Sequence, residues 1–182
     1  MTQQTATPPG RRPNLVREAA QELLDRDFSV VPLNERSKDT HVHWRDTEYS
    51  AEDFSPSNNI AVRLGGTSGI IDIDLDNDHC REFLSFLPPT NLTFGRASRH
   101  VSHQIYRIHN SEEVRNERFA TPEGEMIVEL RGTGCLTMFP PSQHPDDGQV
   151  RYVSDGEPGE TNINLLREAA AIMAAGVLIA SA

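Results

Sequence analysis

Between Gly69 and Leu75 the chain reads GIIDIDL, and its two acids, Asp72 and Asp74, are the residues best placed to do chemistry. Strand alternation has a period of two. Ile71, Ile73 and Leu75 therefore share one face, and both carboxylates share the other, about 7 Å apart along the backbone. Charged residues rarely sit inside a strand without compensation. Two carboxylates held this close repel, which raises one pKa unless a cation neutralises the pair. Hard oxygen donors suit Mg²⁺ or Mn²⁺. The alternative is a solvated strand end continued by turn acids at Asp76 and Asp78, because an Asp-x-Asp pair alone is weakly diagnostic. A calcium loop is set aside, since neither its central glycine nor its distal glutamate stands at the required spacing.

A third acid, Glu129, lies in MIVELR (126–131). Alternation places it beside Ile127, with Met126, Val128 and Leu130 opposite. It reads either as a ligand from another strand or as an exposed position paired with Arg131. His103 opens HQIYRI just after Ser102 and near Arg99, and His144 ends FPPSQH after Ser142. His79, His100 and His109 read as structural or solvated. His41 and His43 read as loop residues without a third ligand.

The elements that must position these groups follow from periodicity. Leu15, Ala19 and Leu23 fall at helical spacing, so a helix runs from residue 14. A strand in FSVVPL (28–33) precedes a long polar loop (34–58), whose one large apolar anchor is Trp44. NIAVRL (59–64) is a strand ending at Gly65-Gly66, and a short helix around 81–87 is closed by Pro88-Pro89. TNLTFGR, HQIYRI, MIVELR and CLTMF read as strands, with VRYV (150–153) closing the series. From Asn162 helix propensity is high. The sum is an α+β fold, a mostly antiparallel or mixed central sheet flanked by helices.

The chain has 182 residues, a net charge of −10 and 36% hydrophobic residues. That length suits one domain with a short appendage. The polar, Pro-rich stretch 1–13 reads as a disordered tail, 14–160 as the folded domain that carries these groups, and 161–182 as a final helix or the start of a linker. No run of apolar residues is read as a bilayer span. Cys80 and Cys135 are too few for a disulfide scaffold and lack metal spacing, so a reduced, cytoplasmic setting is expected. The acidic balance argues against coating nucleic acid by bulk charge, but leaves open a local basic groove from Arg96, Arg99, Arg107, Arg115 and Arg118.

Taken in order, the helix, VVPLN, a basic residue, a Trp, NIAVRLGG, IDID, a Ser/His strand, an acid on a strand and PPSQH form a recognisable set. It resembles the primase-polymerase (Prim-Pol) domain of the archaeo-eukaryotic primase superfamily over residues 15–153. Such domains stand at the N-terminus of replication proteins from phages, plasmids and integrated elements. The resemblance implies an RRM-like catalytic core and a template-dependent nucleotidyltransferase using two Mg²⁺ or Mn²⁺ ions. It adds a nucleotide from a nucleoside triphosphate to a primer 3′-OH on single-stranded or primed DNA, beside a helicase domain or protein and away from any membrane.

By the same resemblance Asp72 and Asp74 match the metal-binding pair, and Glu129 the third acid, commonly Asp in relatives. His103 matches the histidine on the incoming phosphates, and Arg99 a further phosphate contact. Arg131, Ser142 and His144 match the segment lining the nucleotide pocket, with Arg63 and Gly65-Gly66 at its floor. Two departures stand out. Ser102 adjoins His103 instead of preceding it by two, so its side chain is expected on the opposite face. The only lysine stands in Lys38-Asp39-Thr40 instead of before a proline, so that loop is expected to be inert. Two other functions fit the same acids: a metal-dependent nuclease or phosphohydrolase, and a non-catalytic nucleotide- or nucleic-acid-binding module on a degenerate primase fold.

Overall fold

Asn14 starts helix α1 (Leu15–Asp25) by turning its side-chain oxygen onto the Arg17 N–H at 3.2 Å, which satisfies one of the orphan donors of the first turn. The structure is a computed structural model describing residues 14–109 and 113–181, so the expected tail at 1–13 lies outside the described residues. The strands that follow are β1 (Val30–Leu33), β2 (Asn59–Arg63), β3 (Ile70–Leu75), β4 (Leu92–Gly95), β5 (His103–Ile108) and β6 (Glu117–Ala120). Then come β7 (Met126–Arg131), β8 (Leu136–Phe139), β9 (Gln143–His144), β10 (Gly148–Gln149), β11 (Arg151–Asp155) and β12 (Gly159–Thr161), before helix α2 (Ile163–Ala180).

Seven strands form the main sheet in the order β11-β4-β5-β3-β7-β6, with β12 alongside β5. All of its pairings are antiparallel except β12 with β5. A second sheet has the order β1-β2-β8. The α+β class with mostly antiparallel sheet is what the sequence leads one to expect. On one face of β3, Ile71, Ile73 and Leu75 join Tyr106, Val128 and Leu130 beneath Leu166, Ala170 and Met173 of α2. On the other face, Ile70, Ile105 and Phe94 meet Ile60, Val62 and Phe139 of the small sheet, together with Ala20 and Leu23 of α1. Asp72 and Asp74 thus point toward the space between the two sheets, and β3 carries apolar residues everywhere else.

Several local details differ from the sequence reading. The short helix at 81–87 is a 3₁₀ run, Asp78–Phe86, the tighter winding that short segments between loops commonly take. VRYV does not close the series, because β12 follows it. Ile127 joins the core with Val128 and Leu130 and is not Glu129's same-face neighbour. A register shift between Phe119 and Ala120 breaks the simple alternation there. α2 is long and apolar enough to cross a membrane by length and composition, contrary to the expectation that no segment is. In this fold its apolar face, including Leu166, Ala169, Met173 and Val177, is buried on the main sheet.

Candidate active site

Residues opposite one another in neighbouring strands present their side chains to the same face. Asp74 on β3 stands opposite His103 on β5 and Glu129 on β7. Two residues along, Asp72 stands opposite Ile105 and Arg131. Phe94 lies opposite His103, and Arg118 opposite Glu129, so the row extends across five strands. Three acids, a histidine and two arginines are thereby gathered on one face by register alone.

Gly69 and Gly95 make this register possible. Gly69 adopts φ +62°, and a Cβ there would collide with the Ile108 carbonyl as β3 begins. A Cβ on Gly95 would strike the carbonyls of Arg99 and His100. Without one, the chain folds back, the Arg96 N–H donates to the Arg99 carbonyl at 2.8 Å, and Ser102 and His103 are delivered beside Asp74.

Asp72 is wholly buried. Its Oδ2 accepts from the Thr137 hydroxyl at 2.7 Å and from His103 Nδ1 at 3.0 Å. The Arg131 guanidinium lies 3.6 Å from Asp72 and 3.5 Å from Asp74, and its Nε lies 3.6 Å from Glu129. Burial alone pushes the Asp72 carboxyl up, but His103, Arg131 and Thr137 outweigh it and hold the acid below its ordinary value. Asp74 goes the other way: burial raises it, the charges of Asp72 and Asp76 add to the rise, and His103 and Arg131 only partly oppose it. Burial lowers His103, yet the two aspartates raise it above the usual imidazole range. The His103 ring is also held in place by stacking on Phe94, with centroids 4.8 Å apart.

Ligand atoms of Asp72, Asp74 and His103 all lie within 4.8 Å of one another. Two carboxylates and an imidazole at that spacing can hold a divalent metal ion, and the cationic groups that crowd the acids show how strongly they require neutralisation. Glu129 stands at the edge of this group, engaged by Arg118 at 2.7 Å as well as by Arg131.

A pocket of about 320 Å³ opens over the acids. Asp74, His103, Glu129 and Arg131 line it, as do Lys38, Arg96, Ser102 and His144. Two of these differ from expectation. Ser102 is buried in the pocket wall with a hydroxyl that has no hydrogen-bond partner among the described residues. It sits just before β5 and not on it, so strand alternation does not decide its direction. Lys38 reaches the wall because Asn59 donates both to the Ser37 carbonyl at 3.0 Å and to the Gln143 carbonyl at 2.8 Å, clamping the early loop to the segment that ends at His144. The loop is therefore part of the pocket. His144 Nε2 is likewise buried without a partner.

Other expected residues are held elsewhere. Arg63 binds the Trp44 carbonyl at 2.9 Å, the Arg45 carbonyl at 3.0 Å and the Glu48 carboxylate, lining a separate hollow with Trp44 and Gly65-Gly66. Arg99 is not in the pocket lining, but it pairs at 2.8 Å with Asp76, which is. The Ser142 hydroxyl accepts from the Ile60 N–H at 2.8 Å and donates to the Ile60 carbonyl, so it fastens a turn to β2. Ser142→Ala is therefore expected to cost about 1–3 kcal/mol by orphaning buried backbone groups without changing activity per folded molecule. Urea unfolding beside an extension assay checks this. The basic groove is also mostly spoken for: Arg96 pairs with Asp147, Arg107 donates to the Arg26 carbonyl and Arg118 holds Glu129, while Arg115 is exposed.

A family model described as the bifunctional DNA primase/polymerase N-terminal domain, Prim-Pol, matches residues 20–164. The chain belongs to this Prim-Pol family. Comparison with curated proteins finds no match. Membership agrees with the motif order in the sequence, and the matched residues contain every side chain of the pocket. Nucleotidyl transfer with divalent metal ions is the general chemistry of Prim-Pol enzymes, and the Asp72–Asp74–His103 group fits it.

Proposed function

We propose that this chain extends a primer 3′-OH with nucleoside triphosphates on a DNA template, using Mg²⁺ or Mn²⁺ held at Asp72 and Asp74 with Glu129 adjoining. The observation that carries the reading is an acid pair sharing one sheet face with a histidine and an arginine, Asp72 buried beneath and Asp74 lining the pocket beside His103 and Arg131. Divalent ions bound there supply the charge neutralisation that the attacking oxygen, the α-phosphate and the leaving pyrophosphate need. The chain's own groups do the positioning. Lys38, Arg96, Ser102, His103 and His144 line the pocket and carry nitrogen and oxygen donors, the set that a polyphosphate chain accepts from. Arg131 is held by the Leu136 carbonyl at 2.7 Å, which leaves its fork fixed between acids and pocket. The work is orientation and electrostatics in a partly closed site, with no protein nucleophile. A mobile-element replication setting, a cytoplasmic location and a helicase partner are proposed on the resemblance of the motif order.

Incubation with a primed DNA template, Mn²⁺ and either deoxy- or ribonucleoside triphosphates tests the reading. Primer lengthening is expected. Shortening would make the protein a nuclease, and unchanged length with retained DNA binding a non-catalytic module. His103→Ala is expected to raise the nucleotide KM about 10–100-fold at saturating Mn²⁺, the loss of one hydrogen bond to a charged group, with template affinity kept. Equal loss of both would remove His103 from the phosphate site.

A further inference from the structure

We infer that Thr137 is a positioning residue that fixes the carboxylate of Asp72 for the metal ion. The inference rests on Asp72 being a metal ligand, as proposed above. Thr137 sits on β8 of the small sheet, opposite Val62, and has no exposed surface. Its hydroxyl crosses to the main sheet and donates to Asp72 Oδ2 at 2.7 Å. Arg131 Nη1 lies 3.2 Å from the same Oγ1. A guanidinium has donors only, so it donates to Oγ1, and the single hydroxyl proton is committed to Asp72. The relay therefore has one direction, from Arg131 through Thr137 to Asp72.

The two oxygens of Asp72 are consequently unlike. Oδ2 takes Thr137 and His103 and lies nearest Arg131, whereas Oδ1 meets only His103 Nδ1, at 3.2 Å. Oδ2 is the anchored atom and Oδ1 the one left for an ion. A hydroxyl buried in an otherwise apolar strand costs free energy unless its partners repay it, and among the described residues its partners are Asp72 and Arg131 alone. Groups that hydrogen-bond a ligating carboxylate set its orientation, and their loss typically weakens metal binding 10–100-fold. Because β8 and β3 belong to different sheets, this bond also ties the two sheets together at the site.

Electron paramagnetic resonance of free Mn²⁺ against wild type, Thr137→Val, Thr137→Ser and Asp74→Asn measures binding without any turnover. Wild type is expected to bind Mn²⁺ and Asp74→Asn to lose most of it. Thr137→Val is expected to bind about 10–100-fold more weakly, Thr137→Ser close to wild type, and the nucleotide KM of all Thr137 variants to be unchanged at saturating Mn²⁺. Thr137→Ala carries the same expectation should the valine variant fail to fold. Wild-type Mn²⁺ affinity in Thr137→Val, or a serine variant as weak as valine, would overturn the inference. Absence of Mn²⁺ binding by wild type would instead overturn the metal site itself, a failure visible before any Thr137 variant is measured.

Discussion

Asp74→Asn is expected to cut primer extension by at least about 10²–10³-fold, the loss that follows removal of one preorganised charge-handling group, while the metal-free protein stays at least as stable as wild type. The second half of this expectation comes from the direction of its pKa. Burial and the neighbouring charges of Asp72 and Asp76 raise Asp74 above its ordinary value. A carboxyl whose folded pKa is raised binds its proton more tightly when folded, so its ionised form opposes folding as pH rises past the unfolded value. An amide removes that cost. Asp72 has the opposite sign. Its lowered value means that its charge stabilises the fold at neutral pH and that this contribution fades as acid protonates it. Asp72→Asn should therefore lower stability in EDTA as well as activity. Thermal melts in EDTA at neutral pH beside extension assays separate the two variants. Persistent extension by Asp74→Asn would remove this acid from the chemistry.

Arg131→Met should cost about 3–5 kcal/mol in EDTA, the size seen when one partner of a buried ion pair is deleted. Arg131 is the group shared by Asp72, Asp74 and Glu129, and its side chain is only 20% exposed. Its removal leaves the acids with His103 and Arg118 as their remaining cations. Divalent ions should then stabilise the variant more than wild type, because bound ligand shifts folding by mass action and the acids no longer have a guanidinium to give up. Urea unfolding with EDTA and with Mn²⁺ measures both differences. An Arg131→Met protein that unfolds like wild type in EDTA would show that the acids are compensated by other means.

How far the site was legible in the sequence depends on which interactions are local. Asp72 and Asp74 could be read from IIDIDL because alternation within one strand needs no partner. Their row with His103 and Glu129 could not be derived this way, since register between β3, β5 and β7 is set by loops and turns far apart in the chain; alternation offered Glu129 only as one of two readings, and the ordered resemblance brought it together with His103. Ser102 was treated as a strand residue, although it lies in the turn that Gly95 permits, so alternation does not decide its face. The Lys38 loop was expected to be inert because its lysine does not precede a proline, and nothing local shows that it is tied to the pocket. The tie is Asn59, an amide at the head of an apolar strand, and that placement was the one available signal. Arg63 and Ser142 sit in the expected motifs, but their hydrogen bonds are consumed by backbone groups that a linear reading does not bring near. Thr137 gave no signal at all, because one threonine in CLTMF is ordinary strand composition.

A crystal soaked with Mn²⁺ and a nucleoside triphosphate puts the whole arrangement to one measurement. The expected result is anomalous density bridging Asp72 and Asp74, with the triphosphate lying in the pocket lined by Lys38, Arg96, Ser102, His103 and His144. Manganese bound away from these two carboxylates, or a triphosphate seated elsewhere on the protein, would contradict the account.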